Sequence, residues 1–277
     1  MKFLFIVPTL DSGKDLYKFS DSLINQTLKS WRVLFIDGGS KDRDLKIFSE
    51  LEKNDNRFKL CKQKDPRTGI FGAMNEGFNL ADSDEYIFFW GSDDLAMNKD
   101  VLERIQKRVL INEKKSQQKH LYIFKGRYFN KVNNKLGRVT FFPSKNIMIL
   151  NLVDTFSSYM FFGFTPPHQS TLFSPLVRNY FKGYSLKYKL SADLDCFIYL
   201  TRKIRVSFES FDINIIKIAD SGISAKSFNS RLLEVFLIYK KYYGALFFFP
   251  LAFRYIFKIA LKVLSLIINK GDKFKTL

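Results

Sequence analysis

Two adjacent carboxylates, Asp93 and Asp94, are the residues whose types and spacing best suit chemistry in this sequence. They end the run EYIFFWGSDDL, in which an apolar segment typical of a buried strand stops abruptly at acidic groups. Open α/β sheets bind ligands beyond the carboxyl ends of their strands, so this tip is a candidate binding site. The alternative is that the two aspartates cap the helix predicted a few residues later.

The chemistry that such a pair supports is binding of Mg²⁺ or Mn²⁺ together with substrate phosphates, because these ions prefer oxygen ligands. A divalent ion held in this way neutralises a diphosphate and makes it a good leaving group. A remote carboxylate would then remove the proton of an incoming hydroxyl, and Asp193 in the segment SADLDCFIYL is the candidate. The alternative role of Asp193 is to stabilise the start of a helix.

The elements that must position these acids alternate between short apolar strands and amphipathic helices. The pattern predicts strands at Lys2–Pro8, Val33–Ile36, Phe58–Cys61 and Tyr86–Trp90, separated by helices at Leu16–Leu28, Asp44–Lys53 and Gly69–Leu80. Repeated strand–helix–strand units indicate a parallel sheet with right-handed crossovers. The loops that follow the strands would bring Thr9, Asp37 and Asp93 to one edge of that sheet.

The second half of the chain is less regular. It predicts a helix at Leu102–Ile111, an antiparallel pair at Leu121–Phe129 and Gly137–Phe142, a strand at Gln169–Phe173, a helix at Ser191–Leu200, a strand within Val206–Ile218 and a loop at Asp220–Ser224.

The charge of the chain points to an anionic partner. The sequence has 45 Lys and Arg against 27 Asp and Glu, a net charge of +18. Nucleotide phosphates, anionic lipids and nucleic acid all fit this charge, but nucleic acid is disfavoured because the basic residues are scattered and no nucleic-acid motif is recognised. The apolar run before Pro8 is too short for a signal peptide, and Cys61 and Cys196 are far apart, which favours a reducing, cytoplasmic setting.

The C-terminal section is helical, basic and aromatic. Between Gly244 and Asn269, the cations Arg254, Lys258 and Lys262 recur every four residues and form one stripe on a mostly apolar helix. This pattern predicts a helix in a membrane interface with its cations at anionic headgroups. The alternative is a terminal helix that packs on the rest of the protein. A spanning helix is disfavoured because three cations are costly at bilayer depth.

A series of motifs follows in order along the chain: FIVPTLDSG, FIDGGSKD, GIFGAMNEG, EYIFFWGSDD, PHQSTLF, SADLD and DSGIS. With these motifs, residues 1 to 225 resemble glycosyltransferase family two, the inverting enzymes of the GT-A fold, and especially the branch that builds bacterial surface polysaccharides. The resemblance implies an α/β, Rossmann-like fold with a mixed, mostly parallel sheet flanked by helices and a C-terminal helical appendage. It implies a catalytic domain at 1–228, divided into a nucleotide-sugar half (1–95) and an acceptor half (96–228), and a basic tail at 229–277.

The resemblance also implies roles for individual residues. On the donor side, Asp94 would bind Mn²⁺ or Mg²⁺, and the nucleotide sugar would be contacted by Thr9, Asp37, Asp65, Arg67 and Asp93. On the acceptor side, Asp193 would be the general base, and the residues near the acceptor or the diphosphate would be His168, Gln169 and Asp195.

Departures from the family's pattern leave some roles open. Gly91 stands where the family often has Asp or Asn, which removes a candidate metal ligand. Gly72 stands where relatives of this branch usually have Asp, and Ala192 replaces the glutamate before the base. The spacing after Asp65 is longer than the common Asp-x-Gly, so Arg67 is its rival for the nucleotide.

The function implied by the resemblance is transfer of a hexosyl or N-acetylhexosaminyl unit, with inversion, from a nucleotide sugar, UDP-linked by family preference. The acceptor would be a saccharide or a polyprenyl-diphosphate-linked (lipid-linked) acceptor in O-antigen, capsule or exopolysaccharide synthesis. The protein would lie on the inner face of the bacterial plasma membrane, with no nucleic-acid partner. The alternative is an inactive, membrane-peripheral interaction protein that keeps the fold, prompted by Gly91 and Gly72.

Overall fold

The computed structural model describes residues 1–143, 155–220, 228–256 and 259, which form a mixed α/β fold. The helices are α1 (Asp15–Ile24), α2 (Asp42–Asn54), α3 (Gly69–Asn79), α4 (Val101–Lys115), α5 (Phe156–Phe161), α6 (Ala192–Lys203) and α7 (Phe228–Tyr243). The strands are β1 (Lys2–Thr9), β2 (Trp31–Asp37), β3 (Phe58–Lys62), β4 (Glu85–Phe89), β5 (Leu95–Ala96), β6 (Leu121–Phe129), β7 (Leu136–Val139), β8 (Thr171–Phe173) and β9 (Phe208–Ala219).

The strands of the described residues form one sheet in the order β3-β2-β1-β4-β8-β6-β9-β5, with β7 paired to β6. Strand β1 lies between β2 and β4 and is parallel to both, so the chain passes to one side of β1 for β2 and β3 and to the other side for β4. The carboxyl ends of β1 and β4 therefore flank a topological switch point, where such sheets leave a crevice for ligands. Beyond β4 the sheet is mixed, because β8 is antiparallel to both β4 and β6.

Strands β1, β2 and β4 are buried on both faces, which explains why their sequences are continuous apolar runs. In β1, Phe3 and Phe5 face an apolar layer that includes α1, α2 and α4. The alternate residues Leu4 and Ile6 face a second layer that includes α3 and α6. Packing on both faces thus fixes the strand ends next to the switch point.

Helix α3 approaches the sheet closely at a glycine. A Cβ atom on Gly77 would lie 2.4 Å from Cγ2 of Ile6. We expect Gly77→Ala to lower the free energy of unfolding by about 1–3 kcal/mol, because the added methyl group overpacks this contact. Chemical denaturation measures the change. Gly137→Ala is the matched control, since its Cβ would meet nothing closer than 3.6 Å, and an equal loss of stability in both variants would contradict the prediction.

Gly72, also in α3, is explained by a neighbouring turn. A Cβ atom on Gly72 would lie 1.8 Å from Oγ1 of Thr68. This hydroxyl accepts a hydrogen bond from Nε2 of Gln63 at 2.9 Å and donates one to the carbonyl oxygen of Asp65 at 2.6 Å. An aspartate at position 72 would displace that turn, so the glycine is a packing requirement of this chain.

Each predicted helix and strand is present in the predicted order, and the differences lie mainly at the ends. The structure adds two short elements that were not predicted from the sequence, β5 and α5. Helix α4 continues to Lys115, whereas the predicted helix ended at Ile111. The prediction stopped too early because the last turn is polar and has no apolar periodicity. The strand predicted from Gln169 begins at Thr171, because His168–Ser170 forms a 3₁₀ turn. Most of the loop predicted at Asp220–Ser224 lies outside the described residues.

The predicted C-terminal tail begins with a helix that packs on the rest of the protein. In α7, Val235, Ile238 and Tyr239 are at most 3% exposed and join the apolar layer that contains α6. The division at residue 228 stays a prediction, but the residues of α7 do not form a free tail.

The predicted cationic stripe is only partly described. Its first member, Arg254, lies in the helical residues 248–256 and donates a hydrogen bond to the carbonyl oxygen of Gly163 at 3.3 Å. Arg254 therefore contacts the protein instead of pointing freely toward headgroups, which corrects the expected stripe. Lys258 and Lys262 lie outside the described residues. Within the described part of the chain, no helix is long and apolar enough to cross a bilayer.

Candidate functional site

A cavity of about 630 Å³ lies at the switch point between the carboxyl ends of β1 and β4. Its walls come from the loops after these two strands, from α3, from the 3₁₀ turn before β8 and from the start of α6. The hydroxyls of Ser12 and Ser92 join the two loops through a hydrogen bond of 2.7 Å. The volume is that of a small-molecule site. Six of the predicted site residues line it, namely Thr9, Asp93, Asp94, His168, Gln169 and Asp193.

Asp94 is a buried carboxylate in the wall of this cavity, with 2% of its surface exposed. Its Oδ2 accepts a hydrogen bond from the backbone N–H of Gly91 at 2.7 Å, and its Oδ1 accepts one from Ala219 at 3.4 Å. Burial, and then the charge of Asp93, raise the pKa of Asp94 to about 7. The negative charge of Asp94 is therefore poorly compensated, as expected of a group that can bind a cation.

The alternative that these aspartates cap the following helix does not hold. The residue at the N-cap position of α4 is Asp100, well beyond Asp93 and Asp94. Gly91 contributes through its backbone, and a Cβ atom there would lie 3.0 Å from Oδ1 of Asp93 and 3.2 Å from Oδ2 of Asp94. The glycine thus lets its N–H reach Asp94 without crowding either carboxylate.

Asp93 is held by a lysine from a remote hairpin. The ammonium of Lys131, in the turn between β6 and β7, lies 3.1 Å from Oδ2 of Asp93 and 2.6 Å from Oδ2 of Asp15 at the start of α1. All three side chains border the cavity. The ammonium group of Lys131 therefore places a positive charge beside the acidic pair.

Asp193 lines the same cavity from the first turn of α6, where its Oδ1 accepts a hydrogen bond from the backbone N–H of Leu194 at 2.8 Å. Nearby, Nε2 of His168 lies 2.7 Å from the hydroxyl of Tyr184, and the imidazole stacks on Phe89. Burial lowers the pKa of His168, so the ring is neutral near pH 7. This wall offers a carboxylate beside a neutral, hydrogen-bonded aromatic surface.

Thr9 and Asp37 lie side by side at the ends of β1 and β2. The Asp37 carboxylate is 3% exposed and accepts hydrogen bonds from the backbone N–H groups of Gly39, at 3.0 Å, and Ser40, at 2.9 Å. Thr9 lines the cavity directly, whereas Asp37 is not among the lining residues. The structure thus shows Asp37 shaping its loop, and direct contact with a nucleotide stays a prediction.

Three other predicted residues are also absent from the lining. Asp65 and Arg67 bind each other, with Nε of Arg67 2.9 Å from Oδ1 of Asp65, and the Arg67 side chain is 91% exposed. Asp195 is 5% exposed and accepts a hydrogen bond from Nζ of Lys241 at 2.8 Å. An acidic residue two positions after Asp193 points away from it on a helix, which explains why the structure separates the two. The roles predicted for these three residues are not supported by their placement.

Sequence reasoning missed Lys131, Lys189 and Asp15, which also border the cavity. In a chain with 45 Lys and Arg, a lysine in a turn carries no signal of its own. Asp15 looks like an ordinary acid at a helix start. The predicted hairpin was the available clue to Lys131, but its place depends on the pairing of β6 with β8 and β9.

The charge of the cavity indicates whether a divalent ion fits. Its lining includes five aspartates and two lysines, so it is negative although the whole chain is basic. A diphosphate would be repelled there without a cation. The described residues contain no group of three or more His, Cys, Asp or Glu able to hold a metal alone. Asp93 and Asp94 do fit the usual arrangement of Mg²⁺, in which one or two carboxylates act together with substrate phosphates.

Comparison with known proteins places this site in a family. The model of a family described as glycosyl transferase family 2 matches residues 4–168, more than half of the chain. The chain belongs to this family. The match includes the loops after β1, β2 and β4 and ends at His168, so it contains the acidic pair but not Asp193.

Curated relatives named as glycosyltransferases match part of the chain. A PGL/p-HBAD biosynthesis glycosyltransferase of Mycobacterium bovis is 33% identical over 103 residues, which cover 37% of this chain and 40% of the relative. A cholesterol galactosyltransferase of Borreliella burgdorferi is 27% identical over 177 residues, which cover 62% of this chain and 47% of the relative. The matches thus span less than half of either relative's length.

Solved structures share the fold of this glycosyl transferase family 2 member. Staphylococcus aureus TarS 1-349 superposes with a TM-score of 0.62 at 20% identity, covering 86% of this chain and 64% of TarS. A mannosyltransferase of Pyrobaculum calidifontis, in complex with GDP-Man and Mn²⁺, superposes with a TM-score of 0.60 at 12% identity. The match covers 87% of this chain and 63% of the mannosyltransferase. At these identities the likeness shows the fold, which confirms the predicted GT-A architecture.

Proposed function

We propose that this chain is an inverting glycosyltransferase that moves a hexosyl or N-acetylhexosaminyl unit from a nucleotide sugar to a saccharide or lipid-linked acceptor. The observation that carries the proposal is that Asp193 and the pair Asp93–Asp94, remote in sequence, line one cavity at the switch point. Family membership supports the reaction class. The proposed setting is bacterial polysaccharide synthesis, as O-antigen, capsule or exopolysaccharide.

The proposed reaction is a single displacement. Asp193 takes the proton of the acceptor hydroxyl, whose oxygen attacks the anomeric carbon from the face opposite the diphosphate, so that the configuration inverts. Thr9 and Asp93 contact the nucleotide and the donor sugar. Lys131, between Asp15 and Asp93, offsets part of the negative charge that develops on the departing diphosphate.

Mn²⁺ or Mg²⁺ would be held by Asp94 together with Asp93, and when bound it would neutralise the diphosphate and stabilise its departure. The chain supports this arrangement by fixing Asp94 with backbone N–H groups of Gly91 and Ala219. His168 and Gln169 border the cavity together with Asp193, and the acceptor would bind beside them.

The proposed nucleotide is UDP. TarS has been solved in complexes with UDP and with UDP-GlcNAc, whereas the mannosyltransferase complex contains GDP-Man, which makes GDP the rival. A thermal-shift panel of UDP-, GDP- and dTDP-sugars with Mn²⁺ distinguishes them, because a ligand of the folded state raises the melting temperature. The largest shift is expected with a UDP-sugar. A larger shift with GDP-mannose would reassign the donor, and no shift with any sugar would contradict nucleotide-sugar binding.

We expect Lys131 to affect the binding of UDP and the binding of Mn²⁺ in opposite directions. We expect Lys131→Met to weaken UDP binding about two- to fivefold and to tighten Mn²⁺ binding by a similar factor, because it removes a partly exposed cation from Asp93. Titration calorimetry of UDP at saturating Mn²⁺, and of Mn²⁺ at saturating UDP, measures the two affinities. Lys135→Met, in the same exposed turn, is the matched control. If both ligands weaken together in Lys131→Met, the lysine supports only the shape of the turn.

The proposed location is the cytoplasmic face of the bacterial plasma membrane, with peripheral attachment. The C-terminal helical residues present large apolar side chains to solvent, among them Phe248 at 49%, Phe249 at 41% and Ile256 at 58% exposure. An exposed apolar surface on a strongly basic chain suits an interface rich in anionic lipid. The cholesterol galactosyltransferase is similar to this chain and is named for a lipid acceptor.

Flotation with vesicles of phosphatidylglycerol and phosphatidylcholine tests this attachment. The triple variant Phe248→Ser, Phe249→Ser, Ile256→Ser is expected to lose most binding, because it removes the exposed apolar side chains. Val132→Ser is the control, since Val132 is 94% exposed on the turn between β6 and β7. Equal flotation of the triple variant and the wild type would contradict the proposal. Point changes are preferable to truncation at α7, whose buried face stabilises the core.

A further inference from the structure

The loop that leads into α6 is held by a carboxylate from another helix. Glu234 in α7 accepts hydrogen bonds from three consecutive backbone N–H groups: Oε1 from Lys189 at 2.8 Å, and Oε2 from Leu190 at 2.9 Å and Ser191 at 2.8 Å. Ser191 is the N-cap residue of α6, and its own side chain makes no capping hydrogen bond. An external carboxylate therefore satisfies N–H groups at the entry to this helix.

A second contact joins the same two helices. Nζ of Lys241 in α7 lies 2.8 Å from Oδ1 of Asp195 in the first turn of α6. Glu234 and Lys241 are separated by two helical turns and so share one face of α7. Ile238, fully buried, lies between them on that face. Helix α7 thus holds the start of α6 at two polar points around an apolar contact.

The segment held in this way forms part of the cavity wall. Lys189 and Leu190 line the cavity together with Asp193, which follows Ser191 by two positions. A shift of this loop would move the first turn of α6 and with it the Asp193 carboxylate. No other acidic side chain bonds to these three N–H groups among the described residues.

We propose that Glu234 is a positioning residue that sets the place of Asp193 relative to the bound donor. The inference rests on the proposed function, in which Asp193 is the general base. It makes α7 part of the catalytic apparatus, although α7 follows the residues that the family model matches. Glu234 acts only through the loop and α6, and it touches neither donor nor acceptor.

Glu234→Gln is the decisive variant, because it keeps the size of the side chain but replaces one accepting oxygen with an amide N–H₂ that cannot accept from the loop. We expect kcat for release of UDP from UDP-GlcNAc, assayed with Mn²⁺ and a saccharide acceptor panel, to fall roughly ten- to hundredfold, the scale for a misplaced catalytic group. The KM for UDP-GlcNAc and the Kd of UDP should change less than twofold. Amides of residues 189–195 should exchange with solvent faster, while those of β1 and β4 should not.

Lys240→Ala, on the exposed side of the same helix, is the control and should match the wild type. Lys241→Met breaks the second contact, and it should show the same pattern with a smaller fall in kcat even if Glu234→Gln does not fold. Unchanged kcat or unchanged amide exchange in Glu234→Gln would overturn the inference, as would a parallel loss of UDP affinity. If Asp193→Asn turns over normally, the proposed base fails and this inference fails with it. If Asp193→Asn is inactive and Glu234→Gln is normal, only the inference fails.

Discussion

Turnover of Asp193→Asn is expected to fall roughly 10²- to 10⁴-fold, the usual contribution of a general base. The amide keeps the shape of the side chain and can still accept the hydrogen bond from the Leu194 N–H, so α6 should begin as before. It cannot take a proton from an acceptor hydroxyl. The measurement is kcat for UDP release from a UDP-sugar, beside calorimetric binding of UDP, which should be unchanged.

The control for this substitution is Asp21→Asn, on an exposed face of α1 away from the cavity. Two other carboxylates that line the cavity, Asp11 and Asp15, are the alternative bases. If Asp193→Asn keeps wild-type turnover, the base must be sought there. A fall in UDP affinity equal to the fall in kcat would instead place Asp193 on the donor side.

Asp94→Ala is expected to lower turnover by roughly 10²-fold or more, the scale for losing one preorganised contact to developing charge. It should also weaken binding of Mn²⁺ in the presence of UDP. A separate loss of stability, about 1–3 kcal/mol, is expected because the N–H groups of Gly91 and Ala219 lose their acceptor in a buried place. Turnover, manganese titration and chemical denaturation measure the three effects.

Asp94→Asn separates the effect of losing the negative charge from the effect of losing the hydrogen-bond acceptor. Its amide oxygen can still accept from Gly91, and the buried negative charge is gone, so most of the stability lost in Asp94→Ala should return. Turnover and affinity for Mn²⁺ should remain low. If Asp94→Asn restores turnover, the carboxylate has only a structural role and the proposed metal site is refuted.

Much of the donor side of the site could be predicted from sequence because its polar residues stand where apolar strands end. Thr9, Asp93 and Asp94 stand just beyond apolar runs, and strands that are parallel bring such ends to one edge. The prediction was weaker for Asp65 and Arg67, whose position relative to the cavity depends on the 3₁₀ turn at Pro66–Thr68. In that turn the two side chains form an ion pair with each other, and no sequence pattern predicts that they bind each other and not a nucleotide.

The acceptor side of the site, and the residues that hold the site in place, depend on contacts between segments that are remote in sequence. Lys131 reaches Asp93 only because the turn between β6 and β7 comes close to the loop after β4. Glu234 reaches the Lys189–Ser191 loop only because the apolar face of α7 packs beside α6. Both residues are ordinary charges on a basic chain when the sequence is read alone. The order of the strands and the packing of the helices give them partners.

The sequence alone determined the αβ alternation and the acidic tip of β4, because these are local patterns of apolar and polar residues whose period and order can be read directly. It also carried the ordered motifs by which the chain resembles its family. The tertiary structure decided the position and the role of the two aspartates at that tip. It placed Asp93 and Asp94 at the switch point beside β1, showed that they do not cap α4, and brought Asp193 into the same cavity. The physical reason is that burial, hydrogen-bond partners and the electrostatic field at a carboxylate depend on groups that are near in space and distant in sequence.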